Sequence, residues 1–232
     1  MTDIEIRVVD RIDLVVAPRP WAFAEQRRAD ITAHFAERRR KTPELWNGRI
    51  LMLGEWQTQG TTWHGTCFEA AFADFVAWHD WGYPDRTVAS CFGMGALRGA
   101  DGAFLLGVMA AHTFNAGRIY FPAGTPDPSD VVDGRLDLAG SVLREVAEET
   151  GLGTDDFAVA PGWGAVLAGA NIAMMRILTA HQPAVVLRER ILAHLARERQ
   201  PELADIRIVR APCDLDPMMP DFVAAYLSWV WG

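Results

Sequence analysis

The sequence predicts an α/β sandwich built on a mixed β-sheet, and three observations carry that prediction. Short β-branched and aromatic runs alternate with longer helix-period runs along the chain. The Asp101-Gly102 pair separates two apolar runs, 88–97 and 103–112, as the residues of a hairpin turn do. Residues 138–150 put apolar side chains on one stripe and carboxylates on another, the pattern of a helix lying on a sheet.

Taken in order, residues 4–16 (IEIRVVDRIDLVV) read as strand, and Pro18 and Pro20 interrupt them. A helix follows over 21–41. It ends in Arg38-Arg39-Arg40-Lys41, whose charges complement the negative end of a helix, and Pro43 stops it. Strands are expected at 49–56 and 61–67, then an amphipathic helix at 68–80. After the hairpin, a strand at 118–121 (RIYF) leads into a loop rich in Pro, Asp and Gly. The helix at 138–150, strands within 157–179, a helix at 183–199, a strand at 204–210 and a short helix from about 218 complete the chain.

Composition narrows the function classes. Half of the 232 residues are hydrophobic (50%) and 22% are charged, which excludes a disordered chain. The net charge of −8 disfavours nucleic acid and anionic membranes, because a phosphate backbone demands a basic surface. A small phosphorylated ligand stays compatible if a cation bridges the two. Cys67, Cys91 and Cys213 form no C-x-x-C pair, so reduced thiols are expected rather than a disulfide framework or thiolate zinc site. The six histidines show no H-x-x-x-H pair. The start, MTDIEIRVVD, lacks the basic and then apolar regions of a signal peptide, and a cytoplasmic protein is expected. The uncharged stretch 157–175 is broken by Pro161, Gly162, Gly164 and Gly169, which suits two buried strands better than a membrane helix.

The chemistry concentrates in 137–152, DLAGSVLREVAEETGL. Ala139, Leu143, Val146, Ala147 and Thr150 fall on one side of a helix and are expected to face the core. Glu145, Glu148 and Glu149, at i, i+3 and i+4, share another side. Asp137 is the expected N-cap, and Gly151 the left-handed residue after the helix, with Leu152 as its apolar contact. Three like charges within a turn repel one another. Carboxylate oxygens suit Mg²⁺ or Mn²⁺, and a divalent ion would remove the repulsion.

The string from Arg144 to Leu152 resembles the R-E-U-x-E-E-x-G-U half of the Nudix signature, G-x5-E-x7-R-E-U-x-E-E-x-G-U, where U is aliphatic. Phe121-Pro122-Ala123-Gly124 is similar to the F-P-G-G segment that opens the loop in that family. The loop itself departs from the pattern. Arg144 lies 20 residues after Gly124 where the family has 14, so six residues are extra. The family's first glutamate falls on Leu136, with Asp137 beside it.

The resemblance implies a Nudix-type α/β/α sandwich with a mixed sheet over 88–232 and an N-terminal extension or subdomain over 1–87; one continuous domain over 1–232 is the alternative. It implies a pyrophosphohydrolase that uses Mg²⁺ or Mn²⁺ to cleave a nucleoside diphosphate joined to another moiety, with nucleotide-sugars favoured. Glu148 and Glu149 would ligate the metal, with the Ala123 carbonyl and Glu145 as further ligands or Glu145 as base. Arg144 would hold a glutamate in its charged orientation. In several subfamilies the base comes from a later loop, where Glu198 and Glu202 stand, Glu202 preferred. A Nudix-fold module that binds nucleotide without cleaving it is the rival reading, and ADP-ribose, dinucleotides or coenzyme A are alternative substrates. The partner expected is a small nucleotide, with neither nucleic acid nor membrane and with homodimer formation left open.

Weaker features are Trp78-His79-Asp80-Trp81, which could stack a base but reads first as packing, and Gly60–Thr66, which lacks the G-K-[ST] of a phosphate loop. Glu44-Leu45-Trp46-Asn47-Gly48 faintly resembles the N-terminal extension of Nudix enzymes acting on UDP-sugars.

Overall fold

A computed structural model describes residues 4–43 and 45–232. In chain order its strands are β1 (Ile4–Val9), β2 (Arg11–Val16), β3 (Arg49–Gln59), β4 (Thr62–Ala71), β5 (Ser90–Arg98), β6 (Phe104–Met109), β7 (Ile119–Tyr120), β8 (Val131–Val132), β9 (Arg135–Leu136), β10 (Phe157–Val159), β11 (Trp163–Ala168), β12 (Asn171–Ala180) and β13 (Leu203–Val209). The helices are α1 (Ala22–Gln26), α2 (Arg28–Lys41), α3 (Phe72–Asp80), α4 (Leu138–Thr150), α5 (Ala184–Leu195) and α6 (Asp221–Trp231).

Two mixed sheets result. The larger runs β1-β11-β12-β5-β6-β13, with β10 paired to β12 and β7 to β6, and β12 parallel to β5. Alternation along β5 divides its two faces. Gly93 and Gly95 lie under Val142 and Val146 of α4, while Phe92 meets Phe222 of α6. His194 of α5 reaches the Glu148 carbonyl, which puts α5 beside α4. The main sheet is thus covered by helices on both faces, an α/β/α sandwich.

The second sheet runs β3-β4-β2-β9-β8, with β2 parallel to β4. Both of its faces are buried around Ile50–Leu53 and Cys67–Phe68. Leu51, Leu53, Trp63 and Cys67 join the main core, whereas Ile50, Met52, Phe68 and Ala70 pack with Trp21, Phe35 and Trp78 from the α1–α3 layer. Strands cross residue 87 in both directions. The early strand β1 forms an edge of the larger sheet, and β8 and β9 extend the N-terminal one.

Several elements differ from expectation. The 4–16 run is two strands in different sheets, because the N–H groups of Asp10 and Arg11 both turn to the Thr61 carbonyl. The break in alternation at Val8-Val9-Asp10-Arg11 is the mark of that corner in the sequence. The 21–41 helix is interrupted at Arg27 (φ −108°, ψ 17°), with no glycine or proline there. Residues 68–71 belong to β4, where they pair with Arg49–Met52, and the helix starts at Phe72. The helix expected over 183–199 closes at Leu195. Residues 157–175 are strands, and no helix of the described residues is long and apolar enough to cross a membrane. Cys67, Cys91 and Cys213 are unpaired.

Candidate functional site

The site lies where the main sheet splays. Strands β5 and β6 pair at Arg98 and Phe104, then diverge. Strand β7 fills the gap through Gly107–Tyr120 and Val108–Ile119 pairing, and the Pro122 carbonyl accepts from Gly95 N–H at 3.0 Å. The chain then leaves the sheet as Ala123-Gly124, against α4.

Helix α4 begins and ends as its sequence dictates. The Asp137 carboxylate accepts from Gly140 N–H at 2.9 Å, Gly151 is left-handed at φ 69°, and Leu152 is buried. Its buried face differs from the expected stripe. Val146 and Thr150 are buried, but Leu138, Ser141, Val142 and Glu149 complete the face, and Ala147 is exposed. The glycines of β5 explain the rotation. A Cβ at Gly93 or Gly95 would stand 2.4 Å from Val142 or Val146, so these valines ride directly on the strand backbone. That seating turns Glu145 and Glu149 toward Ala123-Gly124, while Glu148 stays toward solvent.

Glu149 is only 5% exposed. Its Oε1 accepts from Ala123 N–H at 3.2 Å, and its Oε2 is buried without any hydrogen-bond partner. Burial pushes its carboxyl well above the usual range, the negative charge of Glu145 adds to this, and the Ala123 N–H opposes it. Glu145 is pushed up to about 7, chiefly by burial; Arg144 opposes the rise, and Glu148, Glu202 and Asp130 add to it. Gly124 faces Glu145, and a Cβ there would fall 2.1 Å from Oε1. The Glu148 side chain, 61% exposed, forms the rim.

Arg144 gathers three carboxylates. Nη1 lies 2.8 Å from Glu145 and 3.4 Å from Glu148, and Nη2 donates to Asp130 Oδ1 at 2.9 Å. Burial alone would lower its pKa, but these partners outweigh burial and hold the guanidinium charged. The sequence reading missed Asp130, whose side chain is 3% exposed. It sits in a 3-10 turn, Pro128–Asp130, just before a hairpin of β8 and β9 that turns through Asp133 (φ 49°) and Gly134 (φ 73°). The Asp133-Gly134 dipeptide between VV and RL was the available signal. Leu136, at the family's glutamate position, is buried in the main core.

Glu202 stands near enough for its charge to act on the inner glutamates. Its carbonyl accepts from Ala110 N–H at 2.8 Å, and its carboxylate disfavours ionisation of Glu145, Glu149 and Tyr120. Glu198 is instead engaged by His194 at 3.0 Å. Among the described residues no three His, Cys, Asp or Glu side chains converge as a ready-made metal cage. Arg144 draws Glu145 and Glu148 toward itself.

The fold is similar in shape to solved structures of low identity. One is a protein assigned to the Nudix hydrolase family from Chromobacterium violaceum, at 18% identity and TM-score 0.41, covering 62% of this chain and 78% of that one. The Nudix hydrolase RenU from M. smegmatis matches at 17% and 0.38, over 62% and 83%. The MutT protein of Methanosarcina mazei Go1 matches at 18% and 0.37, over 61% and 91%. No family model and no curated protein matches the chain.

The remaining sequence features are structural. Trp78 is fully buried and donates Nε1–H to the Asp85 carbonyl at 2.8 Å, and Trp81 lies under the Arg27 guanidinium. Arg38 of the basic run pairs with Asp80 at 3.2 Å. Glu44 lies outside the described residues; in the rest of that stretch, the Asn47 side-chain oxygen accepts from Ala73 N–H in the first turn of α3 at 3.0 Å.

Proposed function

We propose that this protein is a Nudix-type pyrophosphohydrolase that cleaves a nucleoside diphosphate joined to another moiety, releasing a nucleoside monophosphate and a phosphorylated partner. The observation that carries the reading is Glu149. An ionised carboxylate oxygen buried without a partner costs several kcal/mol, and either a proton or a bound cation offsets that cost. The donor set fits a hard divalent ion, being all oxygen, and Gly124 leaves room in front of Glu145 that a side chain would fill. Mg²⁺ or Mn²⁺, when bound, would neutralise pyrophosphate and acidify the attacking water. Glu148 and Glu149 would hold it, with Glu145 and the Ala123 carbonyl as further ligands. Arg144 keeps Glu145 oriented and favours its ionised form. Glu202, exposed and electrostatically coupled to both inner glutamates, is the preferred proton acceptor. Nucleotide-sugars are the favoured substrates.

A panel of nucleotide-sugars, dinucleotides, ADP-ribose and coenzyme A, each with Mg²⁺ and with Mn²⁺, tests this by released phosphomonoester. The Glu148→Gln/Glu149→Gln variant is expected to lose cation-dependent turnover, and full activity in it would overturn the assignment. Nucleotide binding without turnover on any substrate would favour the non-catalytic module instead.

A further inference from the structure

We infer that Asp130, brought in by the lengthened loop, is the positioning residue that anchors Arg144 and so sets the Glu145 carboxylate opposite Gly124. This rests on the metal-centre reading above. The sequence pattern places a glutamate at position 136, where this chain has Leu136. The structure shows why a carboxylate there would not serve: residue 136 is a strand residue pointing into the main core. The extra residues instead form the 3-10 turn and the β8–β9 hairpin, and they present a carboxylate six positions earlier.

Asp130 is held from every side. Its Oδ2 accepts from Asp127 N–H at 3.1 Å, its carbonyl accepts from Asp137 N–H at 2.8 Å, and Oδ1 takes the Arg144 guanidinium. The hairpin is fastened to the N-terminal sheet. Val15 pairs with Arg135, Val16 N–H donates to the Gly134 carbonyl at 2.9 Å, and Arg135 forms an ion pair with Asp13. Strand β2 therefore fixes the turn, the turn fixes Asp130, and Asp130 takes one arm of Arg144. Nη1, the other arm, meets Glu145 and Glu148. Without that anchor both arms would close on the glutamates and compete with a cation for their oxygens.

Two measurements on the full chain test this. In wild type, the Arg144 guanidinium NMR signals are expected to show slowed rotation both without metal and with Mg²⁺, since the protein supplies the anchor. Freely averaged signals in the metal-free protein would overturn the inference. The second measurement is Mn²⁺ affinity by calorimetry. Asp130→Asn is expected to weaken binding about tenfold, as loss of a ligand-orienting partner does. The same change in an Arg144→Gln background should have no further effect, because its action runs through Arg144. Asp130→Glu keeps the charge and should retain the slowed Arg144 signals. Unaltered Mn²⁺ affinity in Asp130→Asn, or an equal loss in both backgrounds, overturns the role of Asp130 alone. Absence of Mn²⁺ binding in wild type overturns the metal-centre reading itself.

Discussion

Without bound metal, this protein should lose stability as pH rises toward neutrality, opposite to the usual behaviour of paired carboxylates. Glu145 titrates at about 7 in the fold against 4.5 in its ordinary state, and Glu149 is shifted the same way. Between those values the folded chain keeps a proton that the unfolded chain has released. Folding therefore takes up protons in that window, so the contribution is complete below 4.5 and is lost as pH climbs through 7. For Glu145 the separation corresponds to roughly 3 kcal/mol, a large share of the ~5–15 kcal/mol typical of a domain. Its side chain is 14% exposed, so solvent screening takes little of this away. Asp80, Asp85 and Asp156 are shifted down instead, and their contributions change below about pH 4, outside the window. Urea unfolding in EDTA at pH 5, 6, 7 and 8 measures the slope. Glu145→Gln should flatten much of it, and Mg²⁺ should stabilise the wild type more at pH 8 than at pH 5, since ligation needs the ionised carboxylates. Stability that stays level or rises from pH 5 to 8 without metal, or an equal slope in Glu145→Gln, would refute the reasoning.

Two further substitutions probe the packing that builds the site. Gly124→Ala would put a methyl 2.1 Å from Glu145 Oε1, and the side chain must swing away; Mn²⁺ affinity by calorimetry should fall about tenfold. Gly95→Ala would put one 2.4 Å from Val146, lifting α4 off β5, and should cost about 1–3 kcal/mol in urea unfolding with weaker Mn²⁺ binding alongside.

Much of α4 was legible from its residues because its signals are local. Asp137, Gly151 and Leu152 act within a few positions of the helix they bound, and the i, i+3, i+4 spacing of the glutamates follows from helical geometry. The hairpin at Gly99–Gly102 was equally local. The orientation of α4 was not local. Counting apolar residues favoured Ala139, Leu143 and Ala147; the first two pack half-buried against the core, but the seating of Val142 and Val146 on Gly93 and Gly95 turns Ala147 out and brings Glu149 in. The same limit applied at residues 68–71, whose apolar spacing suits either helix or strand until pairing with β3 decides.

The sequence by itself determined the strand and helix content of the main sandwich, the caps of α4 and the set of carboxylates on that helix. Tertiary structure alone decided that Glu149 is buried with an oxygen unsatisfied and that the turn before β8 supplies Asp130 to Arg144. It also decided that β1 and β2 part into different sheets. The physical reason is one of range. Caps and periodicity act over a single helical turn, while burial, ion pairing and strand partnership depend on residues tens of positions away that only the folded chain brings into contact.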